Sequence, residues 1–380
     1  MLANTADTKT FLAMKHGGYY SNAAAGAEDV ILGAFDLIQR SLDITLVEHD
    51  AKSFRCADFG CADGGTSLKM WARVFSSIAE KRPSIDLELF YDDLPNSDFN
   101  QLFRSVHGLT NFKSYLQEFP SVLTFASANS FHTQVLPEAS LDFGFSALAS
   151  HYLTKPPCNI SNHIHMVGAE GDERANFQEQ GKLDWERFLG SRALELKRNG
   201  TLCVVNPGID KDGHHLGNVG GVHLWNIFND IWKKFVNDGV ITETEYRSTN
   251  FPQHYRTVAE CIEPVTDPKN AVFRSGLRLE HVETRIVRCP KARAFTEHRD
   301  VDRFVNEYVP SLRSWIEPTM LKGISLNRPS NERNSIIDKL FEQFTEHVKI
   351  KPDGHGFDYC DVYMICRRAY LPKAAARLNA

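Results

Sequence analysis

Small residues and carboxylates meet in one short segment near the start of the chain. Residues 58–65 read Asp-Phe-Gly-Cys-Ala-Asp-Gly-Gly, between a β-rich run at 54–60 and helical spacing at 66–79. Small residues in a strand-to-helix turn let a ligand approach the backbone closely. The turn therefore predicts a binding site for a nucleotide-like ligand.

The composition of this turn favours a cationic ligand over a phosphate. Ala62 stands where the dinucleotide fingerprint has its second glycine, which weakens the interpretation as an NAD-linked dehydrogenase. Asp58 and Asp63 favour a ligand with positive groups. S-adenosylmethionine (SAM), with its sulfonium and ammonium, is such a ligand. A purely structural role for Gly64 and Gly65, as a tight connection, stays open.

A further carboxylate follows the next predicted strand. Residues 91–95 read Tyr-Asp-Asp-Leu-Pro after a strand pattern at 87–90. An acidic residue at this place can accept hydrogen bonds from the two hydroxyls of a ribose, and Asp93 is the candidate. The alternative is a loop aspartate that caps the next helix.

An alternation of strands and helices must position these turns. The predicted strands lie at 54–60, 87–90, 122–126, 141–145 and 201–205, and the predicted helices at 66–79, 97–106 and 184–197. Such an alternation predicts an α/β protein with a parallel sheet covered on both faces.

The pattern changes after Gly208. Helical segments at 222–237 and 299–309 predict a cap over the sheet, and strand patterns at 279–287 and 359–365, with a helix at 331–348 between them, suit an antiparallel edge pair. We therefore expect four parts. They are an N-terminal arm and helix that contribute to the active site (1–50), a cofactor-binding core (51–208), a mainly helical cap with the substrate pocket (209–330), and a closing helix with an edge strand (331–380).

Composition excludes several classes of protein. The 380 residues are 42% hydrophobic, enough for a large core, and the net charge of −5 gives no basic surface for nucleic acid. No apolar run approaches the ~20 residues of a membrane span, and the N-terminus lacks the apolar region of a secretion signal. Eight scattered cysteines are typical of reduced thiols in a cytoplasmic protein.

No metal site is expected. Two cysteines and four histidines are the candidate metal ligands, but the sequence has no C-x-x-C pair and no H-E-x-x-H helix that would support a metal site. They are Cys56, Cys61, His163, His165, His214 and His215.

One stretch resembles a known family closely. FYDDLPNSDFNQLF, at 90–103, resembles the N-D-L-P-x-N-D-F-N segment of the plant-type carboxyl methyltransferases (the SABATH family), which esterify small acids such as salicylate or N-methylate xanthines. Similar segments follow the family's order: DFGCADGGTS, NSFHTQVLPEASLDF, SHYLTKPP, DWERFLGSRALELKRNG and RSWIEPTML. The similarity covers nearly the whole chain. It implies a class I methyltransferase sheet, Rossmann-like and mostly parallel with an antiparallel edge strand, plus a helical cap.

The resemblance implies SAM as the cofactor and S-adenosylhomocysteine as its product, and it assigns residues to the parts of this ligand. Asp58 and Gly60 hold the methionine part, with Tyr20 nearby. The ribose and the adenine are then held by Asp93 with Leu94 and by Ser130 with Phe131, respectively.

The resemblance also implies an aromatic acceptor pocket in which His151 and Tyr152 position the substrate. The other residues implied for this pocket are Trp225, Tyr255, Leu312, Trp315 and Tyr359. Three positions depart from the family. Ala27 stands for a glutamine that gathers the substrate carboxylate, Tyr152 replaces a tryptophan, and Ala24 replaces a serine near the cofactor.

The implied activity is methylation of the carboxylate of a small organic acid, of the kind found in secondary metabolism, by a protein whose relatives are commonly homodimers. A carboxylate is already ionised at pH 7, so this transfer requires no general base. An N- or phenol O-methyltransferase on the same scaffold stays open, and so does a non-catalytic protein that retains the SAM-binding fold.

Overall fold

Eight strands form one sheet in the computed structural model, which describes residues 17–23, 25–47, 49 and 51–369. The strands are β1 (Ser53–Phe59), β2 (Asp86–Asp93), β3 (Leu123–Ala128), β4 (Leu141–Ala147), β5 (Leu196–Ile209), β6 (Arg256–Thr257), β7 (Leu277–Val287) and β8 (Tyr359–Arg368). Seven of them lie in the order β3-β2-β1-β4-β5-β8-β7, and the short β6 pairs with β5.

The sheet is mostly parallel with an antiparallel edge, which confirms the fold class predicted from the sequence. Strands β1 to β5 pair in parallel, whereas β8 runs antiparallel to both β5 and β7. The strand order reverses between β1 and β4. In open α/β sheets ligands bind beyond the carboxyl ends of the strands at such a switch point.

Thirteen α-helices surround the sheet in the described part of the chain. They are α1 (Tyr19–Ala23), α2 (Ala25–Gly33), α3 (Phe35–Val47), α4 (Leu68–Lys81), α5 (Phe99–Val106), α6 (Gly171–Glu195), α7 (Leu224–Asn237), α8 (Glu243–Ser248), α9 (Val258–Thr266), α10 (Ala271–Arg274), α11 (Pro290–His298), α12 (Val301–Gly323) and α13 (Ser330–Ile350). None of the helices in these ranges is long and apolar enough to cross a membrane.

The central strands are apolar on both faces because helices cover both faces. Phe143 on β4, Cys203 on β5 and Cys366 on β8 have no exposed surface. The edge strand β3 differs, since Leu123 and Phe125 remain exposed. All eight cysteines of the chain are free thiols, and seven of them are buried.

Most element types agree with the sequence patterns, but two predicted helices are too short. Helix α6 begins at Gly171, well before the predicted start at 184. Its first half carries mostly polar residues, so few apolar positions in the sequence mark a buried face there. Helix α12 continues past the predicted end at 309. Pro310 and Pro318 lie inside it, where proline usually ends a helical pattern.

A fully buried ion pair at the end of α6 organises the loop after β3. Arg192 and Glu195 have no exposed side-chain surface, and Arg192 Nε donates to Glu195 Oε2 at 2.6 Å. The guanidinium also donates to the carbonyls of Phe131 (2.7 Å) and Thr133 (3.0 Å). Glu195 in turn accepts from the backbone N–H of Val135 at 2.6 Å. The conformation of residues 131–135 therefore depends on this pair.

We expect Arg192→Ala to lower the free energy of unfolding by about 3 to 5 kcal/mol, because it leaves the Glu195 carboxylate buried without its cation. Urea denaturation measures the change. The matched control is Lys182→Ala on the same helix, whose side chain is 52% exposed and pairs with Glu263, itself 39% exposed; such a pair is worth under about 1 kcal/mol. Equal losses in the two variants would contradict the assigned importance of the buried pair.

Candidate active site

A deep cleft opens at the carboxyl ends of β1, β2 and β4, where the strand order reverses. Its empty space, including the open mouth, is about 1340 Å³. All seven residues that the sequence assigned to the cofactor line it: Tyr20, Asp58, Gly60, Asp93, Leu94, Ser130 and Phe131. We call this space the cofactor cleft.

The end of β2 holds the turn after β1 by three hydrogen bonds. The backbone carbonyl of Asp92 accepts from Gly60 N at 2.8 Å and from Cys61 N at 3.3 Å. The carboxylate of Asp93 accepts from Ala62 N at 2.6 Å. Ala62 has a positive φ of 50°, unusual for a residue with a side chain, so these bonds hold a turn that is otherwise disfavoured.

The Asp93 carboxylate also stabilises its own loop. Its Oδ1 accepts from Leu94 N at 2.7 Å and from the Ser97 hydroxyl at 2.6 Å. Helix α5 is capped by Asp98 instead, which accepts from Gln101 N at 3.0 Å, so the capping role weighed for Asp93 belongs to Asp98. With three bonds made, about one acceptor position of Asp93 remains unless the Ser97 hydroxyl turns away.

Asp58 lies at the base of the cofactor cleft and is 4% exposed. Its Oδ2 accepts from the Ser67 hydroxyl (2.8 Å) and from Trp71 Nε1 (2.9 Å). Burial raises the pKa of Asp58 to about 6, and these two donors lower it in part. A cationic group bound beside Asp58 would favour the ionised carboxylate.

Asp63 joins the first turn to the N-terminal helix α1. Its carboxylate accepts from the backbone N–H of Ser21 at 3.2 Å and forms a short hydrogen bond with the Ser21 hydroxyl. This contact brings the neighbouring Tyr20 into the cofactor cleft. The cleft is lined by four aspartates and two lysines, so its wall carries more carboxylates than ammonium groups. The aspartates are Asp58, Asp63, Asp93 and Asp98.

A second cavity of about 640 Å³, open mouth included, adjoins the cofactor cleft. Tyr20, Leu148 and Tyr152 line both spaces, so they mark the place where the two meet. We call the second space the acceptor cavity. Four of the seven residues that the sequence assigned to the acceptor line it: His151, Tyr152, Trp315 and Tyr359.

The other three residues assigned to the acceptor are buried and are not among those that line this cavity. They are Trp225, Tyr255 and Leu312, of which at most 1% is exposed. The Trp225 ring lies edge-on to Trp315, with centroids 5.5 Å apart, and Tyr255 lies 6.0 Å from the ring of His151. Trp225 and Tyr255 therefore pack against two residues of the lining, Trp315 and His151.

The segment after β4 that carries His151 and Tyr152 is fixed on both sides. Arg256, fully buried, donates to the Ser150 carbonyl at 3.0 Å, and the His151 carbonyl accepts from His254 N at 2.9 Å. Tyr152 forms an isolated bridge with Gln253. Both side chains can therefore hold a constant position.

His151 and Tyr152 offer neutral hydrogen-bond donors to the acceptor cavity. Burial, helped by the charge of Arg256, lowers the pKa of His151 to about 3, so its imidazole stays neutral near pH 7. Burial raises the pKa of Tyr152 to about 12, so its hydroxyl stays protonated. His151 Nδ1 is buried without a hydrogen-bond partner among the described residues.

Sequence reasoning missed several residues of the acceptor cavity. No sequence motif distinguished them, because loops, the start of α11 and the middle of α12 bring them together; they include Gln253, Lys291, Ser311 and Phe357. Ala27, which the resemblance placed near the substrate carboxylate, does not line this cavity. It is fully buried in the core, and the adjacent Gly26 lines the cavity. The departure noted at Ala24 lies outside the described residues.

One group of potential metal ligands is close together in the described part of the chain. Ligand atoms of Asp210, Asp212 and His214 lie within 4.8 Å of one another. They belong to a hydrogen-bonded turn, in which Asp210 accepts from Asp212 N at 2.9 Å and His214 N at 2.8 Å. Among Cys56, Cys61 and the four histidines considered from the sequence, His214 alone belongs to this group.

The fold has a solved counterpart. A structure of a loganic acid methyltransferase with S-adenosylhomocysteine (SAH) superposes with a TM-score of 0.75 over 95% of this chain and 99% of that one, at 24% identity. This likeness shows the class I methyltransferase fold, in which the acidic, glycine-lined cleft lies at the switch point of the sheet.

The family follows from the sequence comparisons. The model of the SAM dependent carboxyl methyltransferases matches residues 12–368, so the chain belongs to that family. A loganic acid O-methyltransferase of Catharanthus roseus is 29% identical over 224 residues, 55% of this chain and 57% of that protein. A probable S-adenosylmethionine-dependent methyltransferase of Arabidopsis thaliana is 24% identical over 92% of both chains. The protein is thus an enzyme that uses SAM and methylates the carboxyl group of a small acid.

We expect Gly60→Ala to destabilise the protein by about 1 to 3 kcal/mol and to weaken SAH binding. Gly60 has φ of +81°, and an added Cβ would collide with the Cβ of Ala149. Thermal unfolding with and without SAH measures both effects. The control is Gly190→Ala in α6, where a Cβ meets nothing within 4 Å and helix propensity should add up to about 1 kcal/mol. A Gly60→Ala protein as stable as wild type would show that the turn can accommodate a Cβ, which contradicts this prediction.

Proposed function

We propose that the cofactor cleft holds SAM in one orientation, with its methionine part at Asp58 and Gly60 and its adenosine at Asp93, Leu94, Ser130 and Phe131. The acidic wall supports this assignment, because it suits an ammonium and a sulfonium better than a pyrophosphate. Tyr20 closes the cleft on the side of the acceptor cavity. The sulfonium would then lie where the two spaces meet.

His151 and Tyr152 orient the acceptor carboxylate at this junction. Both donate from neutral groups, so they can bind one carboxylate oxygen without titrating in the physiological range. The placement of both side chains on the lining of the acceptor cavity, with Tyr152 also bordering the cofactor cleft, is the observation that carries the proposal. Trp315 and Tyr359 exclude water around the acceptor.

Positioning supplies the rate in this account. When bound at these residues, SAM would supply the methyl group: the carboxylate oxygen would form the new C–O bond, and the electron pair of the broken C–S bond would stay on sulfur. No proton is released, and no residue has to act as a base. Holding an oriented pair in a dry cavity can contribute about 7 kcal/mol or more.

Two further parts of the proposal follow from the same reasoning. The resemblance to the family supports a homodimer, which sedimentation velocity would test. The eight free cysteines support a reducing compartment such as the cytoplasm; fractionation of cells that express the tagged protein would test it.

The direct test incubates the protein with methyl-labelled SAM and a panel of aromatic, aliphatic and dicarboxylic acids, with matched phenols and amines, and identifies products by mass. We expect methyl esters only. With both ligands saturating, kcat should change little between pH 6 and pH 8, because neither His151 nor Tyr152 titrates there. Phenol or amine products whose rate falls at pH 6 would contradict carboxyl methylation.

Binding of SAH should tighten with rising pH. Because the pKa of Asp58 is about 6, its carboxylate is mostly neutral at pH 5 and ionised at pH 7, where it can pair with the ligand's ammonium. We expect Kd to fall about tenfold between these two values. Calorimetric titration measures it. Asp58→Asn should bind weakly with no such dependence, whereas Asp86→Asn, exposed on β2, should behave like wild type. A Kd for SAH that does not change with pH in the wild-type protein would contradict the proposed role of Asp58.

His151→Ala should reduce kcat/KM for the acceptor about 10- to 100-fold, the loss expected for one hydrogen bond to a charged group. The Kd for SAH should change little, because His151 lines only the acceptor cavity. His151→Asn, which keeps a donor near Nδ1, should recover part of the activity. If SAH binding weakened as much as acceptor use, His151 would be a structural residue of the whole site.

A further inference from the structure

Gln253 lines the acceptor cavity next to Tyr152. The two residues form an isolated antiparallel bridge, and residues paired in this way project their side chains to the same face. Both belong to the lining of the cavity. Only 1% of Gln253 is exposed, so the polar atoms of its amide require hydrogen-bond partners within the protein or the cavity.

The amide oxygen of Gln253 is in contact with two buried groups. His165 Nε2 lies 3.0 Å from Gln253 Oε1, and the Tyr255 hydroxyl donates to the same oxygen at 3.4 Å. Neither His165 nor Tyr255 has any exposed surface. Because Oε1 accepts from the protein, the NH2 group is the part of the amide that can donate on the side of the cavity.

The tautomer of His165 fixes the orientation of this amide. The backbone N–H of Val167 donates to His165 Nδ1 at 3.3 Å, so that nitrogen carries no hydrogen. Burial lowers the pKa of His165 well below its usual value, so the ring is neutral and its one hydrogen lies on Nε2. His165 therefore donates to Gln253 and requires an oxygen there. The imidazole is itself held by stacking on Trp225, with ring centroids 3.9 Å apart.

The amide NH2 of Gln253 then serves the Tyr152 hydroxyl. A hydrogen bond from Gln253 lowers the pKa of Tyr152 in part, against the larger effect of burial, as a donor to the phenol oxygen does. A hydroxyl whose oxygen accepts from an amide still has its own hydrogen to donate. Tyr152 borders both the acceptor cavity and the cofactor cleft, so an acceptor placed where the two meet can receive that hydrogen.

We propose that Gln253 is a positioning residue: held by His165, it orients the Tyr152 hydroxyl so that the hydroxyl donates to the acceptor. This inference rests on the role proposed above for Tyr152. A hydroxyl fixed in this way favours a carboxylate, which brings lone pairs and no hydrogen. A phenol or a protonated amine brings a hydrogen that the same hydroxyl does not accept. The amide of Gln253 thus contributes to the choice of a carboxylate as acceptor.

The first test measures kcat/KM for the best acid in Gln253→Met, Tyr152→Phe and the double variant. Methionine nearly preserves the size of glutamine and removes the amide. We expect each single variant to lose about tenfold. The double variant should match Tyr152→Phe within about twofold, because Gln253 acts through the hydroxyl that phenylalanine lacks. The Kd for SAH should not change in Gln253→Met, because Gln253 lines the acceptor cavity alone.

Gln253→Glu adds a measurement that a merely structural residue would not affect. The introduced carboxyl can donate to Tyr152 only while it is protonated, and once ionised it accepts the Tyr152 hydrogen itself. The rate of acid methylation by this variant should therefore fall as the pH rises from 6 to 8, whereas that of wild type should change little. The matched control is Gln178→Glu, exposed on α6, which should behave like wild type.

Three results would each overturn the inference and leave carboxyl methylation intact. They are an unchanged kcat/KM in Gln253→Met, losses that multiply in the double variant, and a rate in Gln253→Glu that is independent of pH. Unchanged acceptor use in Tyr152→Phe would instead remove the role proposed for Tyr152, and this inference with it. If Gln253→Met does not fold, the pH dependence of Gln253→Glu decides the matter.

Discussion

The site depends on the hydrogen bonds that join the ends of β1 and β2. The Asp92 carbonyl holds the N–H groups of Gly60 and Cys61, and the Asp93 carboxylate holds that of Ala62 in a conformation that few residues with side chains adopt. These bonds fix a turn whose glycines let a ligand reach the backbone. The parallel pairing of the two strands brings both carboxyl ends to one edge, where the cleft forms.

The adjoining acceptor cavity follows a different physical logic. Its donors are neutral at physiological pH because burial shifts the pKa of His151 down and that of Tyr152 up, and the buried Arg256 holds the segment that carries them. A methyl transfer to a carboxylate requires orientation and dryness and no proton transfer, so rigid neutral donors are sufficient. The carboxylates lie on the cofactor side, where four aspartates line the cleft.

The sequence predicted the sheet and its antiparallel edge, because strand periodicity is a local signal. The turn at 58–65 and Asp93 were also found from local sequence, and the structure brings them to one cleft. The family resemblance, and no local pattern, indicated Ser130 and Phe131. Residues that reach the acceptor cavity through tertiary packing were harder to predict. Lys291, for example, lies at the start of helix α11, which no sequence pattern indicated. The resemblance assigned Trp225, Tyr255 and Leu312 to the pocket. All three are buried, and the first two pack against residues of the lining, which the sequence alone does not show.

The most direct test of the account is a calorimetric titration of SAH into the wild-type protein and Asp93→Ala, with Asp86→Ala on the same strand as the control. The account predicts one site per chain in wild type, unchanged affinity in Asp86→Ala, and a Kd at least about tenfold higher in Asp93→Ala, which would lose both the proposed ribose contact and the bond to Ala62. No detectable binding to wild type, or equal affinity in all three proteins, would contradict it.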